Sequence, residues 1–168
     1  YIIEVIYLIV KDYANTDYIQ LTPTNTVRDA LTAFLEKKQD VGCIEDNGHL
    51  LGIVTKPILY RSILKDSTLS HTMQQIMKTN IVTLQADESM FEAKDILLSK
   101  QVGHAVVLNN TQHVYGVLTT PNLINGFLTA YRNITNHMHT LIENLHDAMI
   151  SVDVALQITG YNKAATQM

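Results

Sequence analysis

The sequence predicts an α+β fold, with two β-α-β-β-α repeats packed as a pseudo-symmetric pair, then a connecting helix and the beginning of a further domain. Three observations carry this. Thr16 and Thr79, Leu21 and Leu84, Ala30 and Ala93, and Lys37 and Lys100 stand 63 residues apart, in order. His49 and His113, Gly52 and Gly116, Thr55 and Thr119, and Pro57 and Pro121 stand 64 apart, so a one-residue insertion is expected between about Lys38 and Val41. The same succession of apolar patterns surrounds both sets, which marks a duplicated supersecondary unit.

The 168 residues are 46% hydrophobic and 17% charged, with a formal net charge of −4. That apolar share excludes a disordered chain. The acidic balance, with no run of Lys or Arg, argues against direct nucleic-acid contact. A lone cysteine, Cys43, forms no internal disulfide and reads as a buried structural thiol, and the cytoplasm is the expected compartment.

Taken in order, Tyr1–Val10 is apolar apart from Glu4. It is shorter than the roughly 20 residues a membrane helix needs, and it lacks a signal peptide's basic start. Residues 1–8 are therefore read as a strand-like or buried lead-in. The chain starts at Tyr1 and stops inside a patterned segment, so it is expected to be a piece of a longer protein.

Repeat one is assigned to residues 9–70 and repeat two to 71–126. Each opens with a β-prone run, Tyr18–Leu21 or Ile81–Leu84. A helix from Thr26 carries Val27, Ala30, Leu31, Phe34 and Leu35 on one face. Its counterpart starts at Ser89, where Glu92 completes a capping box. Two apolar runs follow in each copy, and in the first they are joined by the hairpin signal Asp46-Asn47-Gly48. A second helix begins at Pro57 and at Pro121, proline being suited to a first helical turn.

Beyond repeat two, Phe127, Tyr131, Ile134, Met138, Leu141, Leu145 and Ala148 are spaced 4, 3, 4, 3, 4 and 3. This is a heptad seam over a connecting helix at 127–148, which suits either a parallel helix pair, and hence a homodimer, or an amphipathic helix lying on its own domain.

The tandem unit, closing each time on a Gly-apolar-x-Thr segment before a helix (Gly52-Ile53-Val54-Thr55 and Gly116-Val117-Leu118-Thr119), resembles the CBS domain. The likeness runs from about Ile9 to Tyr131. Pairs of such domains, Bateman modules, are regulatory sensors that bind adenosyl ligands, which here implies AMP, ADP, ATP or S-adenosylmethionine in clefts between the copies and no tightly bound cofactor. The glycine keeps a side chain out of the cleft, and the threonine hydroxyl bonds toward the ribose-phosphate. Family members place Asp three residues after that Thr to accept from the ribose hydroxyls. That position is Ile58 in copy one and Asn122 in copy two. The resemblance therefore implies a better site at Val117, Thr119 and Asn122, walled by Ala14 and Ile19. It implies a weaker one at Ile53 and Thr55, faced by Met77 and Val82. Thr119 and Asn122 equally suit plain helix N-capping, and Lys56 and Arg61 are either phosphate contacts or solvated charge.

Residues 149–168, with the preceding Leu141–Ala148, resemble the start of a PAS domain, through Ile150-Ser151-Val152-Asp153 and Gln157-Ile158-Thr159-Gly160-Tyr161-Asn162-Lys163-Ala164-Ala165. Only the first part of such a domain is present. The order CBS–CBS–PAS resembles the sensory half of bacterial sigma-54-dependent transcription activators.

No phosphate-cradling glycine loop, acid–base pair or metal cluster stands out. His137 and His139 point to different faces of a helix. The chain is expected not to be an enzyme and to bind no metal. The function read from the sequence is a ligand-sensing regulatory module controlling a downstream domain. The rivals are a ligand-free dimerisation scaffold and a regulatory appendage of an enzyme or transporter.

Overall fold

A computed structural model describes residues 8–167. Most of the lead-in assigned to residues 1–8 therefore lies outside the described residues. The chain divides into two compact units, Tyr1–Gly126 and Phe127–Met168.

In the first unit, strand β1 (Ile19–Leu21) pairs parallel with β2 (Val41–Asp46), which pairs antiparallel with β3 (His49–Thr55). Helix α1 (Val27–Lys37) connects β1 to β2, and α2 (Lys56–Asp66) follows β3. A single helical turn, α3 (Met73–Ile76), leads into repeat two; periodicity cannot flag an element that short. There β4 (Thr83–Gln85), α4 (Met90–Ser99), β5 (His104–Leu108) and β6 (Val114–Thr119) repeat the pattern and close a second three-stranded sheet. Both α1 and α4 begin on capping boxes. The Thr26 hydroxyl accepts from the Asp29 amide at 3.3 Å while the Asp29 carboxylate accepts from the Thr26 amide at 2.7 Å. Ser89 and Glu92 do the same for α4. Val27, Ala30 and Phe34 of α1 fill the core of repeat one with Ile19, Leu21 and Ile44.

The registers relocate the insertion. Ile44 pairs with Gly52 and Val107 with Gly116. Ile44 and Val107 are still 63 apart, whereas the glycines are 64 apart. The extra residue therefore sits in the β5–β6 hairpin and not between Lys38 and Val41. In repeat one the turn has Asn47 and Gly48 at φ 49° and 80°, the signature of a tight two-residue hairpin.

The repeats are laced together. Asn15, ahead of β1, exchanges two backbone hydrogen bonds with Val117 of β6, at 2.9 and 3.0 Å. Lys78, ahead of β4, does the same with Ile53 of β3, at 3.0 and 2.9 Å. Gly116 and Gly52 make room for these crossings rather than for a ligand: a Cβ on either would meet the Asn15 backbone or the Met77 side chain.

Between the sheets lies a shared apolar cluster of Val41, Cys43 and Ile53 with Val106, Leu108 and Val117. Cys43 is fully buried, and burial together with Glu45 pushes its thiol up to about 12. The symmetry of this seam breaks at one place. Tyr18 and Glu45 occupy the positions that Ile81 and Leu108 hold in repeat two. Glu45 is 7% exposed, and its Oε1 has no hydrogen-bond partner among the described residues. The Tyr18 phenol is driven above its ordinary pKa by burial and by the neighbouring Glu45 carboxylate.

The second helix of repeat two and the expected connecting helix are one element, α5 (Thr120–Glu143). Nothing between Pro121 and Glu143 breaks it. It ends five residues before Ala148, so Leu145 and Ala148 of the heptad seam fall beyond it. In the second unit, β7 (Ile150–Val152) and β8 (Ile158–Tyr161) form an antiparallel hairpin. Asn162, 1% exposed, fastens it to the end of α5. Its amide donates to the carbonyls of Ile142 and Asp147 at 3.1 and 3.0 Å, and its oxygen accepts from the Met149 amide at 2.8 Å.

Candidate functional site

Two clefts open where the end of each β-hairpin faces the segment crossing over from the other repeat. The first, about 860 Å3, brings together Ile53 and Thr55 from repeat one with Met77 and Val82 from the lead into repeat two. Its volume is within the range of small-ligand sites. Thr55 is the N-cap of α2, but its side chain makes no cap bond. Arg61, Lys65, Asp66 and Lys78 supply the charges on the lining. Lys56 is not among them; it pairs with Asp40. His71 is fixed at the rim between α2 residues, its Nδ1 3.1 Å from Ser62 Oγ and its Nε2 3.3 Å from Asp66 Oδ2.

The second cleft, about 600 Å3, gathers Ala14, Val117, Thr119 and Asn122. Ile19 does not reach it. That side chain is 2% exposed and packs under α1 beside Gly42, because β1 turns Ile19 and Leu21 alike toward the core. Thr119 and Asn122 spend their hydrogen bonds on each other. Asn122 Oδ1 accepts from the Thr119 amide at 3.0 Å and from its hydroxyl, and the Asn122 amide donates back to Thr119 Oγ1 at 3.4 Å. This is a capping box for α5. Lys38 and Asp40 are the charged residues of this lining.

His104, the first residue of β5, borders both clefts. Burial, and then the Lys78 ammonium, hold its imidazole below the usual histidine pKa. The sequence reading missed His71 and Ser62 as lining residues and singled out neither Lys65 nor Lys78. Their positions in sequence carry no pattern that would join them.

No helix among the described residues is long and apolar enough to cross a membrane. The family model described as "CBS domain" matches residues 10–65 and 73–128. A probable arabinose 5-phosphate isomerase of Haemophilus influenzae is 30% identical over 111 residues, 65% of this chain and 33% of its own length. The chain thus spans about a third of that relative. Among solved structures, the CBS domain pair of protein MJ0100, in complex with 5′-methylthioadenosine and S-adenosyl-L-methionine, superposes with a TM-score of 0.66 at 20% identity, covering 74% of this chain and 98% of the other. CBSX2 in complex with AMP gives 0.64 at 21%, with 74% and 98% covered. The CBS domain protein PAE2072 of Pyrobaculum aerophilum, complexed with AMP, gives 0.64 at 15%, with 68% and 89% covered.

Proposed function

Because this chain belongs to the CBS-domain family and carries two copies in tandem, we propose that it is a regulatory module that senses an adenosine-type ligand: AMP, ADP, ATP or S-adenosylmethionine. The observation that carries the reading is the first cleft, with an apolar wall of Ile53, Met77 and Val82 beside a threonine hydroxyl, on Thr55, that makes no cap bond to its helix. Solved structures of the same fold hold AMP, or 5′-methylthioadenosine and S-adenosyl-L-methionine. On this reading the first cleft is the principal site. Val117, Thr119, Asn122 and Ala14 form the secondary one, the reverse of the order that Ile58 and Asn122 suggest as isolated acceptors. The ligand acts by favouring one packing of the two repeats over another, since equal affinity for both shifts nothing. Calorimetry with each of the four compounds, against Thr55→Ala and Asn122→Ala controls, tests this. Heat from none of them ends the adenosyl reading.

The output is read as passing through α5 into a PAS-like segment from residue 149, in a homodimeric transcription regulator that leaves nucleic-acid contact to another domain. Tyr131, Ile134, Met138 and Leu141 support this as a seam on one face of the helix, each roughly half exposed or more. One observation favours a second reading, as a regulatory appendage of an enzyme: the isomerase that matches over this region. Light scattering on the chain with and without residues after Tyr131 tests the dimer. A monomer in both forms excludes the seam.

A further inference from the structure

The two clefts are related by the duplication, yet their charges are not. Arg61, Lys65 and Lys78 stand on the first cleft against a single carboxylate, Asp66, which His71 already engages. Shifted by the repeat offset, these cations correspond to Asn125, Thr129 and Asn15, none of them charged. The second cleft carries one cation and one anion, Lys38 and Asp40, with Asp40 tied to Lys56. The excess positive charge is therefore local to one cleft, with Arg61 and Lys65 coming from repeat one and Lys78 from the lead into repeat two. At the edge of that cleft, burial first and then the Lys78 ammonium disfavour a protonated His104.

We infer that the first cleft selects its ligand by phosphate charge, taking nucleoside phosphates and rejecting both uncharged adenosine and the sulfonium ligand S-adenosylmethionine, with Arg61, Lys65 and Lys78 as the specificity-determining residues. This rests on the adenosine-type reading above. S-Adenosylmethionine brings a sulfonium and an ammonium against one carboxylate, so it adds net positive charge to a positive cleft. AMP brings a dianion, and each further phosphate adds attraction until the cleft is filled. The three cations are solvent-exposed, so each contributes modestly and the contribution falls with salt.

The test is titration calorimetry on the whole chain with AMP, ADP, adenosine, S-adenosylmethionine and pyrophosphate, at low and high salt, for the natural sequence and for Arg61→Gln/Lys78→Gln. Both substituted side chains are exposed, and Lys78 crosses to Ile53 through its backbone, so the fold is retained; circular dichroism checks it. AMP is expected to bind about tenfold tighter than adenosine, with ADP at least equal to AMP. The double variant should close the gap between AMP and adenosine, bringing their affinity ratio to about one. If adenosine matches AMP, or the variant preserves their ratio, charge selection is wrong and the adenosyl reading survives. If pyrophosphate binds and no adenosyl compound does, the adenosyl reading is wrong and anion selection survives. Binding of none of the five overturns both.

Discussion

Gly116 lies so close to Asn15 that a Cβ on it would come within 2.6 Å of the Asn15 carbonyl oxygen. The equivalent atom on Gly52 would press on the Met77 side chain, at 2.7 Å from its sulfur. A backbone held by two hydrogen bonds has little room to retreat, whereas a methionine can change rotamer. Gly116→Ala is therefore expected to lower stability by about 1–3 kcal/mol, and Gly52→Ala by less. Urea unfolding of the two variants measures the difference; equal losses would mean that the crossing segments yield equally.

The two threonines that close the Gly-x-x-Thr segments do different work. Thr119 shares a capping box with Asn122, and Thr55 makes no side-chain cap bond. Thr119→Ala should cost about 1 kcal/mol, while Thr55→Ala should leave thermal stability nearly unchanged. A matching loss at Thr55 would show that its hydroxyl is already engaged.

Glu45 is a carboxylate in a seam that repeat two builds from leucine. Replacing it by Leu alone would strand the Tyr18 hydroxyl, so the informative variant is Glu45→Leu with Tyr18→Phe, which restores the apolar pair of the other repeat. It is expected to raise stability by about 1–3 kcal/mol, while Tyr18→Phe alone lowers it. A lower melting temperature for the double variant would show that the carboxylate is satisfied where it sits.

The depressed pKa of His104 sets a pH dependence. Unfolded, the ring takes up a proton near its ordinary value of about 6.5; folded, it resists until lower pH. In between, the unfolded chain binds more protons, so acidification favours unfolding. The stability held by the neutral ring is present above about pH 6.5 and is lost as pH falls toward the folded pKa. Val41 fills this position in repeat one. His104→Val should flatten the decline in melting temperature between about pH 6.5 and 5 relative to the natural sequence. An unchanged slope assigns the decline to other groups.

The architecture was legible because each local signal agreed with its neighbours. Ser89 and Glu92 announced a helix start that the structure caps as expected, and Asn47-Gly48 announced a hairpin. The insertion was misplaced because a one-residue shift is invisible until strand pairing is known; only the Ile44–Gly52 and Val107–Gly116 pairs locate it. At the clefts, sequence ranks Asn122 above Ile58 as an acceptor, since it sees residue types and not where lone pairs point. The oxygen of Asn122 is turned onto its own helix start. Ile19, implied by the resemblance, stands at the repeat offset of Val82, yet the two end in different surroundings, one under α1 and one beside a cleft. Arg61 and Lys78 converge from a helix and a linker, with nothing periodic to connect them.

The crossing of Asn15 to Val117 also sets an order of events during synthesis. The strand that holds Asn15 is made about 100 residues after it, so at roughly 5–20 residues per second the lead into repeat one waits some five to twenty seconds on the ribosome without its partner. Lys78 waits for nothing, because Ile53 precedes it. The first repeat to emerge thus stays unfinished until most of the second has been made, and its early exposed edge is where a nascent-chain chaperone has the longest opportunity to act.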